Sequence, residues 1–133
     1  MIGFLLDTNI CIYALKGHRR VLDRLLAADR ETVRTSVVTE AELRTGAAKS
    51  SAPLKTLRLV ENFLRPIEVL PFTSEDAAAY ARVRSRLESS GTPIGPLDTF
   101  IAAQAVSRRL TLVTNNEREF SRVPGLALEN WAR

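Results

Sequence analysis

Ile2-Gly3-Phe4-Leu5-Leu6-Asp7-Thr8-Asn9 is the stretch on which the fold turns. Residues 2–6 are short and almost continuously apolar, the pattern of a strand covered on both faces. The run stops at a polar trio, and Ile10, Cys11, Tyr13, Ala14 and Leu15 then form an apolar stretch that Gly17 closes. A buried strand giving way at once to a helix is the opening of an α/β unit. Asp7 stands just beyond the carboxyl end of that strand, where open parallel sheets place their binding sites.

The same alternation continues outward. Val21, Leu22, Leu25 and Leu26 recur at helical spacing up to Ala28, and residues 32–37 alternate with β-branched side chains as a second strand. Residues 38–48 read as a helix, and Leu54, Leu57, Val60, Glu61 and Leu64 mark another that stops before Pro66. A third strand, 67–70, lies between two prolines. Ser74 is the expected cap of an alanine-rich helix ending at Ser89-Ser90-Gly91. A helix from Pro96 through Arg109, a fourth strand at 110–114, a short helix at 117–121 and a last strand at 126–129 complete the order. No repeat, low-complexity tract or linker divides the sequence. Residues 1–133 are therefore expected to form one α/β domain with a mostly parallel five-stranded sheet flanked by helices.

Composition narrows the chemistry. The 133 residues include 19 Lys+Arg and 15 Asp+Glu, a formal charge of +4, with 45% hydrophobic residues, which suits one soluble domain. Only Lys16, Lys49 and Lys55 are lysines; the other basic residues are arginines, whose planar fork suits phosphate, although a genome favouring arginine codons explains the bias equally well. The single cysteine, Cys11, excludes an internal disulfide and a cysteine-based zinc site, and its apolar setting suggests a buried thiol in a reducing cytoplasm. The single histidine, His18, excludes paired-histidine catalysis; its polar surroundings favour a solvated ring over a member of a Ser/His/Asp triad. No run approaches the roughly 18 apolar residues of a membrane span. The N-terminus, with no basic leader and Asp7 close behind, is not expected to be a signal peptide.

What remains is a set of acids at predicted strand ends. Asp7 can cap the first helix, with Thr8 and Asn9 beside it. Asp98 falls in the first turn of the helix begun by Pro96, yet Ile101, Ala102 and Ala105 lie three, four and seven residues on, on the face turned toward the sheet. A carboxylate on an apolar face requires a cation, a donor or a proton. Glu40 and Glu42 share one helix two residues apart, so at most one can face a common pocket. After the fourth strand come Thr114-Asn115-Asn116-Glu117-Arg118-Glu119, where helix capping by an asparagine and first-turn acids are the ordinary explanation. Acids converging on one pocket without histidine or cysteine suit a hard cation such as Mg²⁺ or Mn²⁺. With arginines around it, such a pocket points to hydrolysis of nucleic acid.

Four fragments carry a resemblance to a known family: Leu5-Leu6-Asp7-Thr8-Asn9, the segment 36–47 with Thr39-Glu40-Ala41-Glu42-Leu43, the segment 94–103 with Pro96-Leu97-Asp98-Thr99, and Leu112-Val113-Thr114-Asn115-Asn116 with Glu119-Phe120. In this order and spacing the chain resembles the PIN-domain ribonucleases, and within them the VapC toxins of bacterial type II toxin–antitoxin modules. The resemblance implies a three-layer PIN-like fold and a Mg²⁺-dependent endoribonuclease whose metal ligands are Asp7, Glu42 and Asp98, Glu42 being chosen over Glu40 by the Ala41-Glu42-Leu43 match. Many members carry a fourth acid where this sequence has Asn116, which brings an oxygen but no charge. Glu119, ahead of Glu117, is the candidate to replace it. Thr8, Asn9 and Thr114 are implied as donors orienting the carboxylates. The resemblance further implies a VapB-like antitoxin partner, a homodimer or toxin–antitoxin hetero-oligomer, and RNA as substrate. The tail from Thr111 to Trp131 is similar to that of VapC toxins cutting initiator tRNA in its anticodon loop. For RNA contact the first basic cluster, Lys16, Arg19, Arg20 and Arg24, is favoured.

Other classes are weaker fits. A receiver-type phosphoacceptor domain shares the α/β plan and an acidic Mg²⁺ pocket but requires a late lysine, and none follows Lys55. A haloacid-dehalogenase-like phosphatase requires an aspartate where Asn9 stands. No phosphate-binding glycine loop is present. A catalytically weak RNA-binding PIN domain, its site reduced by Asn116, is the remaining alternative.

Overall fold

The computed structural model describes residues 3–133. Five strands, β1 (Phe4–Leu6), β2 (Val33–Ser36), β3 (Glu68–Leu70), β4 (Thr111–Val113) and β5 (Leu128–Glu129), form one sheet in the order β3-β2-β1-β4-β5. Every pairing is parallel, so the expectation of a mostly parallel sheet is sharpened to an entirely parallel one among the described residues. Parallel neighbours demand crossover helices. These are α1 (Thr8–Leu15), α2 (Arg19–Ala27), α3 (Val37–Ala48), α4 (Pro53–Leu64), α5 (Ser74–Ser89), α6 (Pro96–Arg108) and the single-turn α7 (Glu117–Phe120). Of the predicted first strand, Ile2 lies outside the described residues.

Strand periodicity explains the three layers. Successive side chains point to opposite faces. Leu6 and Val113 accordingly enter one core with Ile10, Val21, Leu43 and Val60 from α1–α4, while Leu5 and Leu112 enter the other with Val83, Ile101 and Ala105 from α5 and α6. Trp131 is 1% exposed and meets Phe4 edge-on at 5.2 Å, so it covers the sheet rather than offering a ring to solvent.

Two caps differ from expectation. The α5 cap is Thr73, not Ser74: its hydroxyl accepts from Asp76 N at 3.4 Å while Asp76 Oδ2 accepts from Thr73 N at 2.9 Å, a reciprocal arrangement that requires an acid three residues on. Ser74 would have needed its acid at position 77, which is alanine. His18, expected to be only solvated, caps α2 by accepting from Val21 N at 3.3 Å through Nδ1, and its ring lies 5.2 Å from that of Tyr13.

Candidate functional site

In the order β3-β2-β1-β4-β5 the strand order reverses at β1, whose neighbours are β2 and β4. A crevice therefore opens beyond Leu6 and Val113. Asp7 N donates to Val113 O at 3.0 Å, extending the β1–β4 ladder one step and fixing the residue at the mouth of the crevice. Its side chain, 3% exposed, accepts from Ile10 N at 2.8 Å. Asp7 is thus both the α1 cap and a buried carboxylate at the strand end; the two readings coexist in one residue. Burial pushes its pKa up from 3.8 to about 6; the Thr114 side chain and the Ile10 amide pull it down, and the neighbouring charges of Asp98 and Glu42 raise it further. Those influences bring the three predicted acids into one electrostatic neighbourhood.

Two acids two apart on α3 are sorted by their partners. Glu40 Oε2 accepts from Arg44 Nε at 2.7 Å, an i,i+4 pair on the outer face. Glu42 Oε1 instead accepts from Thr8 Oγ1 at 2.6 Å, and Thr8 Oγ1 lies 3.1 Å from Thr39 Oγ1. The first residue of α1 thereby orients the α3 carboxylate. Glu42 also lines a cavity of about 540 Å³ with Val38, Ala41, Phe72, Leu97 and Phe100.

Asp98 is the third residue of α6, after the Gly95 cap and Pro96. A helix N-terminus favours its anion. Burial and the charges of Glu119 and Glu42 outweigh that, and its pKa is raised. Glu119 is placed on the same crevice by two bonds: Oε1 accepts from Gly95 N at 3.2 Å and Oε2 from Asn116 Nδ2 at 2.8 Å. Asn116 occupies the α7 cap position but makes no side-chain cap; its amide serves Glu119, and its N–H donates to Thr114 Oγ1 at 2.9 Å. Glu117 turns away to Asn130 and Arg133.

Asp7, Glu42, Asp98 and Glu119 therefore border one crevice, with Thr8, Thr114 and Asn116 bonded to them or to one another. Asn9 lies on the first turn of α1, exposed. Among the described residues the acids do not already close on one point as a ligand cage. The donor set nevertheless fits a divalent cation: all its atoms are oxygens, and two of its carboxylates are held against charge by burial and mutual repulsion. At the opposite end of the strands a cavity of about 530 Å³ is lined by Arg34, Glu68 and Arg108, but its guanidiniums are paired, Arg34 with Glu68 at 3.0 Å and Arg108 with Asp76 at 3.1 Å.

The predicted basic cluster divides. Lys16, Arg19 and Arg20 are exposed around the α1–α2 turn, roughly 12 Å of helix from Asp7. Arg24 is tied to Glu129 at 3.0 Å and lies 5.4 Å over the Trp131 ring. The sequence offered no pointer to Tyr13 and Asn130, which reach the crevice loop through Asn115. Both contacts join residues distant in the chain, where neither spacing nor periodicity leaves a trace.

The fold and its acids define a class. The PIN domain family matches residues 4–126, and the chain belongs to that family. Its full-length relatives are VapC proteins. It is 40% identical over 131 residues to the tRNA(fMet)-specific endonuclease VapC of Salmonella typhimurium, covering 98% of this chain and 99% of the relative. To the tRNA(fMet)-specific endonuclease VapC of Shigella flexneri it is 40% identical over 132 residues, covering 99% and 100%. Among solved structures it superposes on a chain of DNA-bound VapBC from Salmonella typhimurium with a TM-score of 0.94, at 41% identity and 98% and 99% coverage.

Proposed function

We propose that this chain is the toxin of a type II toxin–antitoxin pair, an endoribonuclease that hydrolyses RNA phosphodiesters with Mg²⁺, or Mn²⁺ in its place. The observation that carries the reading is the convergence of Asp7, Glu42, Asp98 and Glu119 at the β1–β4 switch point. Asp7 and Asp98 hold the cation and Glu42 completes its site. When bound, the metal supplies Lewis acidity, activating water and polarising a phosphoryl oxygen. Thr8 fixes Glu42 so that the carboxylate can orient the attacking water, and the Thr114 side chain favours the ionised form of Asp7 against the burial that raises its pKa. Asn116 and Glu119 brace the loop facing Asp98. Attack at phosphorus with loss of the 3′-oxygen leaves a 5′-phosphate and a 3′-hydroxyl.

The names of the relatives support tRNA as substrate, and initiator tRNA, cut in its anticodon loop, is the specific candidate. A VapB-like antitoxin is the expected partner. Consistent with that, Leu26 is 84% exposed beside an apolar groove of about 410 Å³ lined by Leu25, Phe63 and Ile67 between α2 and α4. Leu97 on α6 and Val37 on α3 are exposed as well, apolar surface suited to a homodimer. No described helix is long and apolar enough to cross a membrane, and action in the cytoplasm follows from the RNA substrate.

The test is cleavage of total tRNA by the purified chain in Mg²⁺, with sequencing of the new ends. One cut with a 5′-phosphate is expected, abolished by Asp7→Asn and by Asp98→Asn; parental cleavage by either variant would refute the assignment.

A further inference from the structure

Beyond β5 the chain turns so that Trp131 is buried against Phe4, and this anchor fixes the residue before it. The Asn130 carboxamide is fully engaged. Its Oδ1 accepts from Ala132 N at 2.8 Å, and its Nδ2 donates to Asn115 Oδ1 at 3.0 Å and to Glu117 Oε2 at 2.9 Å. Asn115 Nδ2 in turn donates to the Tyr13 hydroxyl at 3.1 Å. One line of hydrogen bonds thus joins the C-terminal segment, the loop between β4 and α7, and helix α1.

Two of those three parts carry the acid crevice. Helix α1 starts from the Asp7 cap and Thr8; the loop carries Thr114 and Asn116 and leads to Glu119. The loop has little rigidity of its own, because α7 is a four-residue turn without a side-chain cap, and helices so short are not self-supporting. Backbone bonds at Val113 and Thr114 fix the root of the loop; beyond Thr114 its position relative to α1 depends on side chains that bridge the two.

We propose that Asn130 is a positioning residue for the crevice: through Asn115 it holds the loop of Asn116 and Glu119 in register with Tyr13 on α1, and so with Asp7. The inference rests on the crevice being the nuclease site. Misplacing groups around a reacting centre by about 1 Å can cost on the order of a hundredfold in rate. The bridge itself is short and largely at the surface, so its loss leaves the two cores intact.

The test measures steady-state RNA cleavage by the full chain beside ¹H–¹⁵N spectra. Asn130→Asp sets a carboxylate against Asn115 Oδ1 and Glu117, and is expected to lower kcat about tenfold with KM within about twofold. Adding Glu117→Gln reverses the polarity of the network. The new aspartate then accepts from the Gln amide and from a turned-over Asn115, whose Oδ1 accepts from Tyr13. This pair is expected to recover kcat to within about threefold, and to return the Thr114 and Asn116 amide resonances that the single variant displaces. Parental kcat in Asn130→Asp, or a loss that the paired change does not recover, would overturn the inference. If Asn130→Asp does not fold, Tyr13→Phe cuts the line at its other end: a fall in kcat at constant KM supports the inference and parental kcat overturns it. Asp7→Asn, run alongside, separates the two readings. If it cleaves at the parental rate the nuclease site itself is wrong and both fall; if it is inactive while Asn130→Asp is unimpaired, only the positioning role falls.

Discussion

A carboxylate buried beside two others is costly to keep charged, and Asp7 bears that cost in the metal-free protein. The rise of its pKa from 3.8 to about 6 corresponds to about 3 kcal/mol. Because the folded chain holds this proton more tightly than the unfolded chain, the contribution favours folding fully below pH 3.8 and is lost as the pH rises through about 6. Metal-free protein is therefore expected to be less stable at pH 7.5 than this group allows at pH 4, a difference that urea melts at the two pH values detect when compared with Asp7→Asn. That variant removes the buried charge while keeping a side-chain oxygen for the Ile10 amide, so at pH 7.5 without metal it is expected to be more stable than the parent by about 1–3 kcal/mol while losing cleavage. A destabilised Asp7→Asn would contradict burial as the dominant influence. Thr8 gives a second residue-scale case. Thr8→Val preserves shape but removes the donor held 2.6 Å from Glu42; cleavage should fall about tenfold, with a stability loss of about 1–2 kcal/mol.

Helix α3 shows at the scale of an element why identical side chains two residues apart have different work. Glu40 is neutralised by Arg44 on the outer face, whereas Glu42 faces α1 and the crevice. Glu40→Gln is expected to cleave RNA at close to the parental rate, and Glu42→Gln to lose at least about a hundredfold; equal effects would mean that α3 presents the wrong acid. Helical spacing could state that only one of the two faces the pocket, but not which, because Val37, Val38, Ala41 and Ala48 leave the buried face of α3 ambiguous. The family resemblance supplied the choice of Glu42, and the structure shows that Thr8 is its hydrogen-bond partner. Glu119 has a similar history. Sequence put it ahead of Glu117 without a physical reason, and the bonds to Gly95 and Asn116 now set the two apart in space, because both contacts depend on how α6 and α7 meet. The elements themselves were largely legible from apolar periodicity and from Gly and Pro punctuation. The misplaced α5 cap arose where Thr73 and Ser74 are adjacent and equally able to cap, and the acid at Asp76 decides between them.

Across the whole molecule, the useful scarcity lies in histidine and cysteine rather than in the excess of arginine. Cys11 is buried and His18 caps a helix, so the proposed chemistry rests on carboxylates, as the composition suggests. The charge of +4 was less informative, because several arginines are spent on the fold: Arg34, Arg44, Arg84, Arg108 and Arg133 are all ion-paired, and Arg24 joins Glu129 and Trp131. Neither pairing nor exposure is visible in a count. Lys16, Arg19 and Arg20 remain exposed beyond the far end of α1, and under the proposed function they are the groups expected to meet backbone phosphates. If these three each neutralise one phosphate of a single strand, binding should weaken roughly twentyfold between about 50 and 200 mM salt. Binding to the inactive Asp7→Asn protein measures this without cleavage. Arg19→Ala with Arg20→Ala should flatten the salt slope by about 1.4, that is, by two phosphates at about 0.7 each. Arg24→Ala should leave the slope unchanged and lower the melting temperature instead, because its guanidinium is committed to the C-terminal strand. A salt-independent affinity, or a slope that responds to Arg24 and not to Arg19 and Arg20, would move the RNA path away from the α1–α2 turn.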